Sequence, residues 1–337
     1  MWSNPYNVSD AEDLIRTPKL DVPLWSENLY FFAHDGAAGL CVFAHMSRLS
    51  PDPRVWEGNL AITLPDGTVL VNRSIGYSPN LAWTGQLGLD CIEPNRRWHW
   101  HFNGVAQHTD GQQLATSARL PDARVPVELD LTFYAVHPVW AKEDMDGQDG
   151  ADFHIEQGGR FRGRVRWGDE IVSMDCTGWR DHSAGPRSYE SLQGNIMAAC
   201  IFPSHKTLLA TLIWAGDSED IHLHNFGYIV DGDHFQDLTI VKAPTLSSPD
   251  NMPRSVSFEL DVGGARGILK AEALNSITHT LMRPQGMEFG NIPIDPQTAL
   301  FCSAPTRYEW QGEVGYGWMD RAFRIGHFTG AVPFPTL

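Results

Sequence analysis

The sequence has no long apolar run, and this absence excludes a membrane-spanning helix. Nowhere do the 337 residues approach the roughly 18 consecutive apolar residues that such a helix needs. The first residues, Met1 to Lys19, also lack the basic start and the apolar segment of a secretion signal. We therefore expect a soluble protein of the cytoplasm.

Cysteine is scarce. The five cysteines are an odd number, lie far apart and form no C-x-x-C pair, which argues against a disulfide framework and against a structural zinc knuckle. We expect small, buried, free thiols in a reducing compartment. These cysteines are Cys41, Cys91, Cys176, Cys200 and Cys302.

Positive charge is in deficit, since 25 Lys and Arg stand against 41 Asp and Glu and give a formal net charge of -16. Nucleic acids and anionic membranes both demand a basic footprint, so neither is an expected partner. Twelve Trp and sixteen Phe instead favour an apolar cavity for a small molecule. The oligomeric state stays open, a homodimer included.

Several catalytic motifs are absent, namely G-x-S-x-G, a Gly-rich phosphate loop and H-E-x-x-H. His99 with His101, and His222 with His224, each place two imidazoles on one strand face, but no acidic third ligand lies at a telling spacing. Exposed strand histidines are favoured, and we expect no metal. The acidic segment 142–152 resembles a calcium loop only in composition and is interpreted as a solvated connector.

Helix signals are nearly absent as well. A capping box, Ser9-Asp-Ala-Glu12, predicts one short N-terminal helix that Pro18 ends. From Trp25 onward, short β-type runs alternate with Gly and Asp turns at about ten-residue spacing, which is typical of antiparallel barrels or sandwiches and not of βαβ units. The length favours two domains.

A faint internal repeat supports two halves. Gly178-Trp-Arg-Asp-His182 and Gly317-Trp-Met-Asp-Arg321 share the pattern G-W-x-D-basic, once in each half, as duplication of a β unit would produce. We predict an all-β fold with an N-terminal arm over residues 1–24, a first β domain over 25–185 and a second over 186–337.

The first copy of the repeat lies in the segment richest in ionisable residues, 177–187. Alternation along a strand places Trp179 and Asp181 on one face and Arg180 and His182 on the other. One face can therefore offer a barrel interior an aromatic ring and a carboxyl group together.

Such a carboxyl has a pKa raised by desolvation, so Asp181 is a candidate general acid that protonates an alkene or an alcohol leaving group. The indole face of Trp179 would stabilise positive charge on carbon. Upstream, His154 and Glu156 share a strand face, and either is a candidate base.

The alternative is a structural corner, in which Asp181 pairs with Arg180 or Arg187 and caps turn amides. Asp320 occupies the matching position of the second repeat. If Asp320 serves only a corner, Asp181 can do the same.

The run Gly178-Trp-Arg-Asp-His-Ser-Ala-Gly185, preceded by His154-Ile-Glu-Gln and followed by Gly315-Tyr-Gly-Trp-Met-Asp-Arg321, resembles the lipocalin-like superfamily of bacterial carotenoid 1,2-hydratases. Within it, a branch with an R-D-H-S-[WA]-G-P-R signature is the nearest pattern. The resemblance extends over nearly the whole chain from Trp25. It implies two tandem lipocalin-like barrels with a ligand tunnel at or near their junction, and neither a metal nor an organic cofactor.

The resemblance also implies roles for individual residues. In these hydratases an Asp matches Asp181, an aromatic residue matches Trp179, and an upstream His-x-Trp matches His154 and Glu156. Two positions depart from this pattern, because Trp179 replaces a Tyr and Glu156 replaces a Trp. The second carboxyl suits an oxygenated substrate rather than a long polyene. Substrate contacts are expected from residues within and beside the two motifs, namely Arg180, His182, Arg187, Tyr316 and Trp318.

We therefore predict a cofactor-independent lyase of the hydratase or dehydratase type, or an isomerase, acting on a hydrophobic oxygenated small molecule such as a terpenoid or an aromatic alcohol. Cleavage of a carbon–carbon bond by a retro-aldol route would use the same acid–base pair. The superfamily also resembles fungal Diels–Alderases, so a pericyclic cyclase that works by cavity shape is one alternative, and a non-catalytic binding protein for apolar ligands is another.

Overall fold

The computed structural model describes residues 4–49, 52–117, 119–142, 152–190, 192–215, 222–243, 255–292, 294–295 and 297–324, with the backbone alone at 214, 215, 222 and 223. Its helices are a 3-10 helix, Asp10–Asp13, and a six-residue α1, Gly111–Thr116. Everything else that is regular in the described residues is antiparallel β-structure. The predicted all-β fold with a short N-terminal helix is confirmed.

The first sheet contains the strands β1 Trp25–Asp35, β2 Leu40–Arg48, β3 Val55–Thr63, β4 Thr68–Tyr77, β5 Ala82–Trp83, β6 Leu87–Glu93, β7 Arg97–Asp110, β8 Arg124–Ala135, β9 Trp140–Ala141, β10 Phe153–Trp167 and β11 Glu170–Pro186. The second sheet contains β12 Leu192–Ile201, β13 Thr207–Ala215, β14 His222–Asp231, β15 His234–Lys242, β16 Ser255–Val262, β17 Ala265–Ala273, β18 Ile277–Leu281, β19 Met287–Phe289, β20 Ala299–Trp310 and β21 Glu313–Arg324.

Each sheet closes into a ring of eight strands. In the first sheet the order β4-β3-β2-β1-β11-β10-β8-β7 is closed by pairing of β4 with β7. In the second sheet the order β17-β16-β15-β14-β13-β12-β21-β20 is closed by pairing of β17 with β20. The predicted tandem barrels are therefore present, each with its last strand hydrogen-bonded between its first strand and the preceding long strand.

Each barrel has its own apolar core, formed by alternate residues of its strands. The first core contains Leu29 and Phe31 of β1 with Trp98, Trp100 and Phe161, all of them fully buried. The second core contains, among others, Ile196, Ala198, Leu300, Met319 and Phe323. Because side chains alternate along a strand, residues such as Tyr30 and Phe32 lie on the face of β1 away from the core.

The internal repeat falls at equivalent places in the two barrels, on the last strand of each. Within β11 a Cβ on Gly178 would lie 2.2 Å from the carbonyl oxygen of Phe32, and within β21 a Cβ on Gly317 would lie 2.0 Å from that of Ala199. Both glycines therefore allow a close approach of the neighbouring strand that any side chain would block.

The chain divides into two compact units. Unit 1 comprises Met1–Thr109, Pro121–Ser188 and Arg283–Gly286, and unit 2 comprises Asp110–Leu120, Tyr189–Met282 and Met287–Leu337. Each unit thus includes a short segment from the other half of the sequence. The predicted domains 1–24, 25–185 and 186–337 stay a prediction.

Other expectations concern thiols and helices. All five cysteines are free; Cys41, Cys176, Cys200 and Cys302 are buried as predicted, whereas Cys91 is partly exposed. Among the described residues, no helix has the length and apolar character needed to cross a membrane. Residues 143–151, the centre of the predicted acidic connector, lie outside the described part of the chain.

Candidate active site

One face of the first sheet gathers the predicted catalytic residues. The register of β10, β11, β1, β2 and β3 places residues opposite one another in rows on the side away from the barrel core. A polar row consists of His154, Ser183, Asn28, Ser47 and Glu57. A mixed row consists of Glu156, Asp181, Tyr30, His45 and Asn59. An apolar row consists of Gly158, Trp179, Phe32, Phe43 and Ala61.

The predicted division of β11 into two faces is found, but the orientation differs from expectation. Trp179 and Asp181 lie on the face away from the core, and it is Arg180 and His182 that point into the barrel. There the Arg180 guanidinium lies 5.7 Å from the ring centroid of Trp98, a core residue, and the His182 ring lies edge-on to the same indole. Strand alternation defines which residues share a face, but not which face is turned inward.

His154 contacts two carboxyl groups through one nitrogen atom. Its Nε2 lies 2.5 Å from Oδ2 of Asp181 and 3.2 Å from Oε1 of Glu156. This contact is possible because Glu156 and Asp181 are direct partners across β10 and β11, while His154 is two residues before Glu156 on the same face. The structure therefore brings together three of the four predicted catalytic side chains in one hydrogen-bonded cluster.

The charges in this cluster follow from its contacts. Burial by itself lowers the pKa of His154, but the Asp181 carboxylate and the hydrogen bonds to Asp181 and Glu156 outweigh it and raise this pKa to about 10. Burial acts to raise the pKa of Asp181, yet the charge and hydrogen bond of His154, with the charge of Arg187, lower it below its ordinary value. Around neutral pH the pair is an imidazolium beside a carboxylate.

Glu156 behaves differently from Asp181. Desolvation by burial raises its pKa to about 7, against the opposing effect of His154. The side chain is only 2% exposed, and its Oε2 has no hydrogen-bond partner among the described residues. The raised pKa that the sequence suggested for Asp181 therefore belongs to Glu156, because His154 forms its shorter contact with Asp181.

Trp179 lies beside this cluster in an aromatic group. Its ring stacks on Phe32 at a centroid distance of 5.9 Å and meets Tyr30 edge-on at 5.8 Å. The indole Nε1 is buried and has no hydrogen-bond partner within the described residues. The indole of Trp179 thus lies buried beside the acid–base cluster.

The residues predicted to bind substrate are distributed over several places. Arg180 donates to both carboxylate oxygens of Asp13 at 2.6 and 3.1 Å, and His182 lies 3.0 Å from Oε1 of Glu27, so both are engaged inside the first barrel. Arg187 is close to the cluster, where it donates to the Ser183 hydroxyl at 3.0 Å, and that hydroxyl in turn donates to Asp181 at 3.3 Å.

Tyr316 and Trp318 belong to unit 2. In that unit the indole Nε1 of Trp318 donates to Oδ1 of Asp320 at 2.6 Å. The second copy of the repeat therefore pairs its aspartate with its own tryptophan, whereas in the first copy Asp181 contacts a histidine and the indole of Trp179 makes no hydrogen bond among the described residues.

Sequence reasoning missed Tyr30, His45 and Asn59, the remaining members of the mixed row. They lie on β1, β2 and β3, far in sequence from the motif. His45 is 5% exposed and Asn59 fully buried. The available signal was a polar residue within an otherwise apolar strand, as in Leu40-Cys-Val-Phe-Ala-His45, but only the register shows that these residues share a row with Asp181.

Among the described residues, two groups have the composition of a metal site. The ligand atoms of His154, Glu156 and Asp181 lie within 4.8 Å of one another. The ligand atoms of His99, His101 and Asp90 also lie within 4.8 Å of one another. Asp90, on the neighbouring strand β6, is the acidic third ligand that the sequence spacing did not reveal. His101 Nδ1 lies 3.3 Å from Asp90 Oδ2. For the other pair, the side chain of His222 lies outside the described residues.

Comparison with known proteins adds a family and a fold. The family model described as "Domain of unknown function (DUF7064)" matches residues 9–324. No curated protein sequence matches this chain.

Three solved structures illustrate the fold. An AttH-type protein from Nitrosomonas europaea has a TM-score of 0.61 at 11% identity and covers 95% of this chain and 98% of its own. Kievitone hydratase from Nectria haematococca has a TM-score of 0.53 at 14% identity, covering 96% and 97%. The protein CghA has a TM-score of 0.54 at 10% identity, covering 90% of each chain. These likenesses confirm the predicted resemblance to the lipocalin-like hydratase fold, and at such identities they show the fold alone.

Proposed function

We propose a function for this chain, which belongs to the family described as "Domain of unknown function (DUF7064)": it is a hydro-lyase-type enzyme that adds water to, or removes water from, a hydrophobic oxygenated small molecule. The observation that carries the proposal is the contact of His154 Nε2 with the carboxyls of both Asp181 and Glu156. Two carboxyls with pKa values shifted in opposite directions form an acid and a base side by side.

In this proposal Glu156 is the general acid. A carboxyl with a pKa of about 7 still carries a proton in a large fraction of molecules at neutral pH, and it transfers that proton readily. It protonates a carbon of a double bond, or in the reverse direction receives the proton back. The roles of the two carboxyls are thereby exchanged relative to the prediction from the sequence.

The positive charge that forms on carbon needs stabilisation. The face of Trp179 and the carboxylate of Asp181 lie in adjacent rows on the same side of the sheet and supply it. Water then attacks the cation and loses a proton to Asp181. A weak base is sufficient for this step, because water bound to a carbocation is a strong acid.

His154 restores the starting state. After one turnover Glu156 has lost a proton and Asp181 has gained one. Since the same Nε2 contacts both carboxyls, the imidazolium gives its proton to Glu156 and takes the proton of Asp181. The net reaction is the addition of one water molecule, with no change in the protein. The existence of a hydratase with this fold, kievitone hydratase, supports the proposal at the level of reaction type.

The experiment is turnover of a panel of oxygenated terpenoids and lignin-type aromatic alcohols, read by mass spectrometry. We expect the wild-type protein to produce a species that differs by the mass of one water molecule. Glu156→Gln and Asp181→Asn each remove a proton-transfer group and should lower the rate by about 100-fold or more. Glu170→Gln, the same change at an exposed position of β11, should leave the rate unchanged.

Other outcomes would replace the proposal with a different one. A product of unchanged mass that forms equally in Asp181→Asn would indicate a pericyclic cyclase. Loss of a small carbonyl fragment would indicate retro-aldol cleavage, and tight retention without any mass change would indicate a binding protein.

A further inference from the structure

Among the buried polar atoms that lack a hydrogen-bond partner within the described residues, five lie on the face that holds the proposed site. Within the described residues no hydrogen bond is made by Oε2 of Glu156, Nε1 of Trp179, Nδ1 of His45, or the Oδ1 and Nδ2 atoms of Asn59. These four side chains are between 0% and 5% exposed. Glu156 and Trp179 belong to the proposed catalytic cluster, but His45 and Asn59 do not.

An unpaired buried amide or imidazole is costly, since it has given up its hydrogen bonds to water. Asn59 is the extreme case of the four, because both ends of its side-chain amide are buried and without a partner in the part of the chain that the structure describes. Such groups have hydrogen-bonding capacity that a bound molecule can use. Their position in the mixed row indicates where on the sheet such a molecule would lie.

The register gives the spacing. His45 lies two strands from Asp181 along the mixed row and Asn59 lies three strands away. At about 4.8 Å between neighbouring strands, the backbone positions are roughly 10 and 14 Å from that of Asp181. The apolar row runs parallel to this path, with Phe32 and Phe43 beside it.

We propose that His45 and Asn59 bind a neutral oxygen atom, a hydroxyl or a carbonyl, at the far end of an elongated substrate whose reacting carbon lies at Glu156 and Asp181. The inference rests on the proposed function in that it names the substrate class of the same site. Phe32 and Phe43 contact the apolar body of this molecule. The substrate is therefore amphipathic, flat enough to lie along the sheet, and oxygenated away from the reacting bond.

The neutrality of the bound oxygen follows from the protein groups. Desolvation by burial, together with the charge of Arg187, lowers the pKa of His45 to about 3, so its imidazole is uncharged and offers one donor and one acceptor. The amide of Asn59 likewise offers both. A neutral donor–acceptor pair matches a hydroxyl or a carbonyl oxygen.

The test is the equilibrium binding of two probes to the full-length protein, measured through the change in tryptophan fluorescence. One probe is trans-stilbene with a single para hydroxyl, and the other carries a methyl group in the same place. We expect the wild type to bind the hydroxyl probe about tenfold or more tightly, because the methyl analogue leaves the polar groups unpaired. In Asn59→Leu and His45→Phe this preference should disappear, with affinity for the methyl probe retained or increased.

Stability provides a second readout. Since Asn59→Leu removes an unpaired buried amide without changing the side-chain size much, the melting temperature should hold or rise. Asn103→Leu, the same substitution at an exposed position of β7, should preserve the preference for the hydroxyl probe.

Equal binding of the two probes by the wild type, or binding of neither, overturns the inference. So does a preference that persists in both variants, or a large fall in melting temperature in both, which would make the two polar groups part of the fold. Failure of the proposed function looks different: no turnover occurs, yet the hydroxyl preference is present in the wild type and in Glu156→Gln and is lost in Asn59→Leu.

Discussion

At the scale of single residues, Glu156 is held in a place that disfavours its charge. It is 2% exposed, its pKa is raised to about 7, and one of its oxygens is unpaired among the described residues. An ordinary glutamate, with a pKa near 4.5 in the unfolded chain, loses its proton at a lower pH. The folded protein therefore binds this proton more tightly than the unfolded chain does.

Glu156→Gln should consequently stabilise the protein, and more so at high pH. The folded state retains the proton between about pH 4.5 and 7 while the unfolded state releases it, so the wild type loses stability as pH rises through this window and bears the whole cost above it. The shift corresponds to at most about 3 kcal/mol. Urea denaturation at pH 5 and pH 8 should show a gain for Glu156→Gln that is clearly larger at pH 8. A gain of equal size at both pH values would contradict the raised pKa.

Much of the site at this scale could be predicted from the sequence. The segment around Asp181 stands out by its ionisable density, and alternation correctly groups Trp179 with Asp181. Which of the two carboxyls has the raised pKa could not be predicted, because this depends on which of them forms the shorter contact with His154. That contact arises from side-chain positions across β10 and β11, for which the sequence has no signal.

At the scale of elements, strand β11 is anchored from inside the barrel by the N-terminal 3-10 helix. Asp13, the last residue of that helix, is fully buried and pairs with Arg180 of β11. Its Oδ2 also accepts from the indole of Trp98 at 3.0 Å and from the backbone of Asn95 at 2.6 Å. The arm thus holds the inner face of the strand whose outer face carries Asp181.

Asp13→Asn should therefore be strongly destabilising. The substitution leaves the guanidinium of Arg180 buried beside a neutral amide, which costs about 3–5 kcal/mol when a buried ion pair is broken in this way. Asp10→Asn makes the same change at an exposed position of the same helix and should cost less than about 1 kcal/mol. Chemical denaturation of both variants is the measurement, and similar losses in the two would contradict the anchoring role.

The capping box predicted this short helix, and the structure contains it, with Ser9 N donating to Glu12 at 2.7 Å. The contact of Asp13, in this helix, with Arg180 could not be predicted, since these two residues are 167 positions apart. For the same reason the mixed row could not be predicted, because Asn59 and Asp181 come to share a row only through the registers of three strand pairs.

At the scale of the whole molecule, neither unit is a continuous half of the chain. Residues 283–286 belong to unit 1, where Gln285 donates to the backbone oxygens of Leu24 and Arg187 at 2.5 and 2.7 Å. Residues 110–120 belong to unit 2, where the side chain of Asn291 donates to the backbone of Ala115 at 2.9 Å. Each unit is completed by a segment from elsewhere in the sequence.

A chain that ends at Ser188 should therefore be less stable than the first barrel is in the full-length protein. It keeps all strands of the first barrel but lacks 283–286, and its segment 110–120 is left without Asn291. We expect a lower melting temperature than that of the full-length protein, measured by circular dichroism. If the chain ending at Ser188 had the same melting temperature as the full-length protein, the exchanged segments would contribute nothing to stability.

The placement of the two carboxyls also bears on stereochemistry. Glu156 and Asp181 project from neighbouring strands on the same side of one sheet. A flat double bond lying along that sheet presents only one of its two faces to them. If the pair acts as proposed, the proton and the hydroxyl arrive from the same side, the addition is syn, and a prochiral alkene yields a single enantiomer.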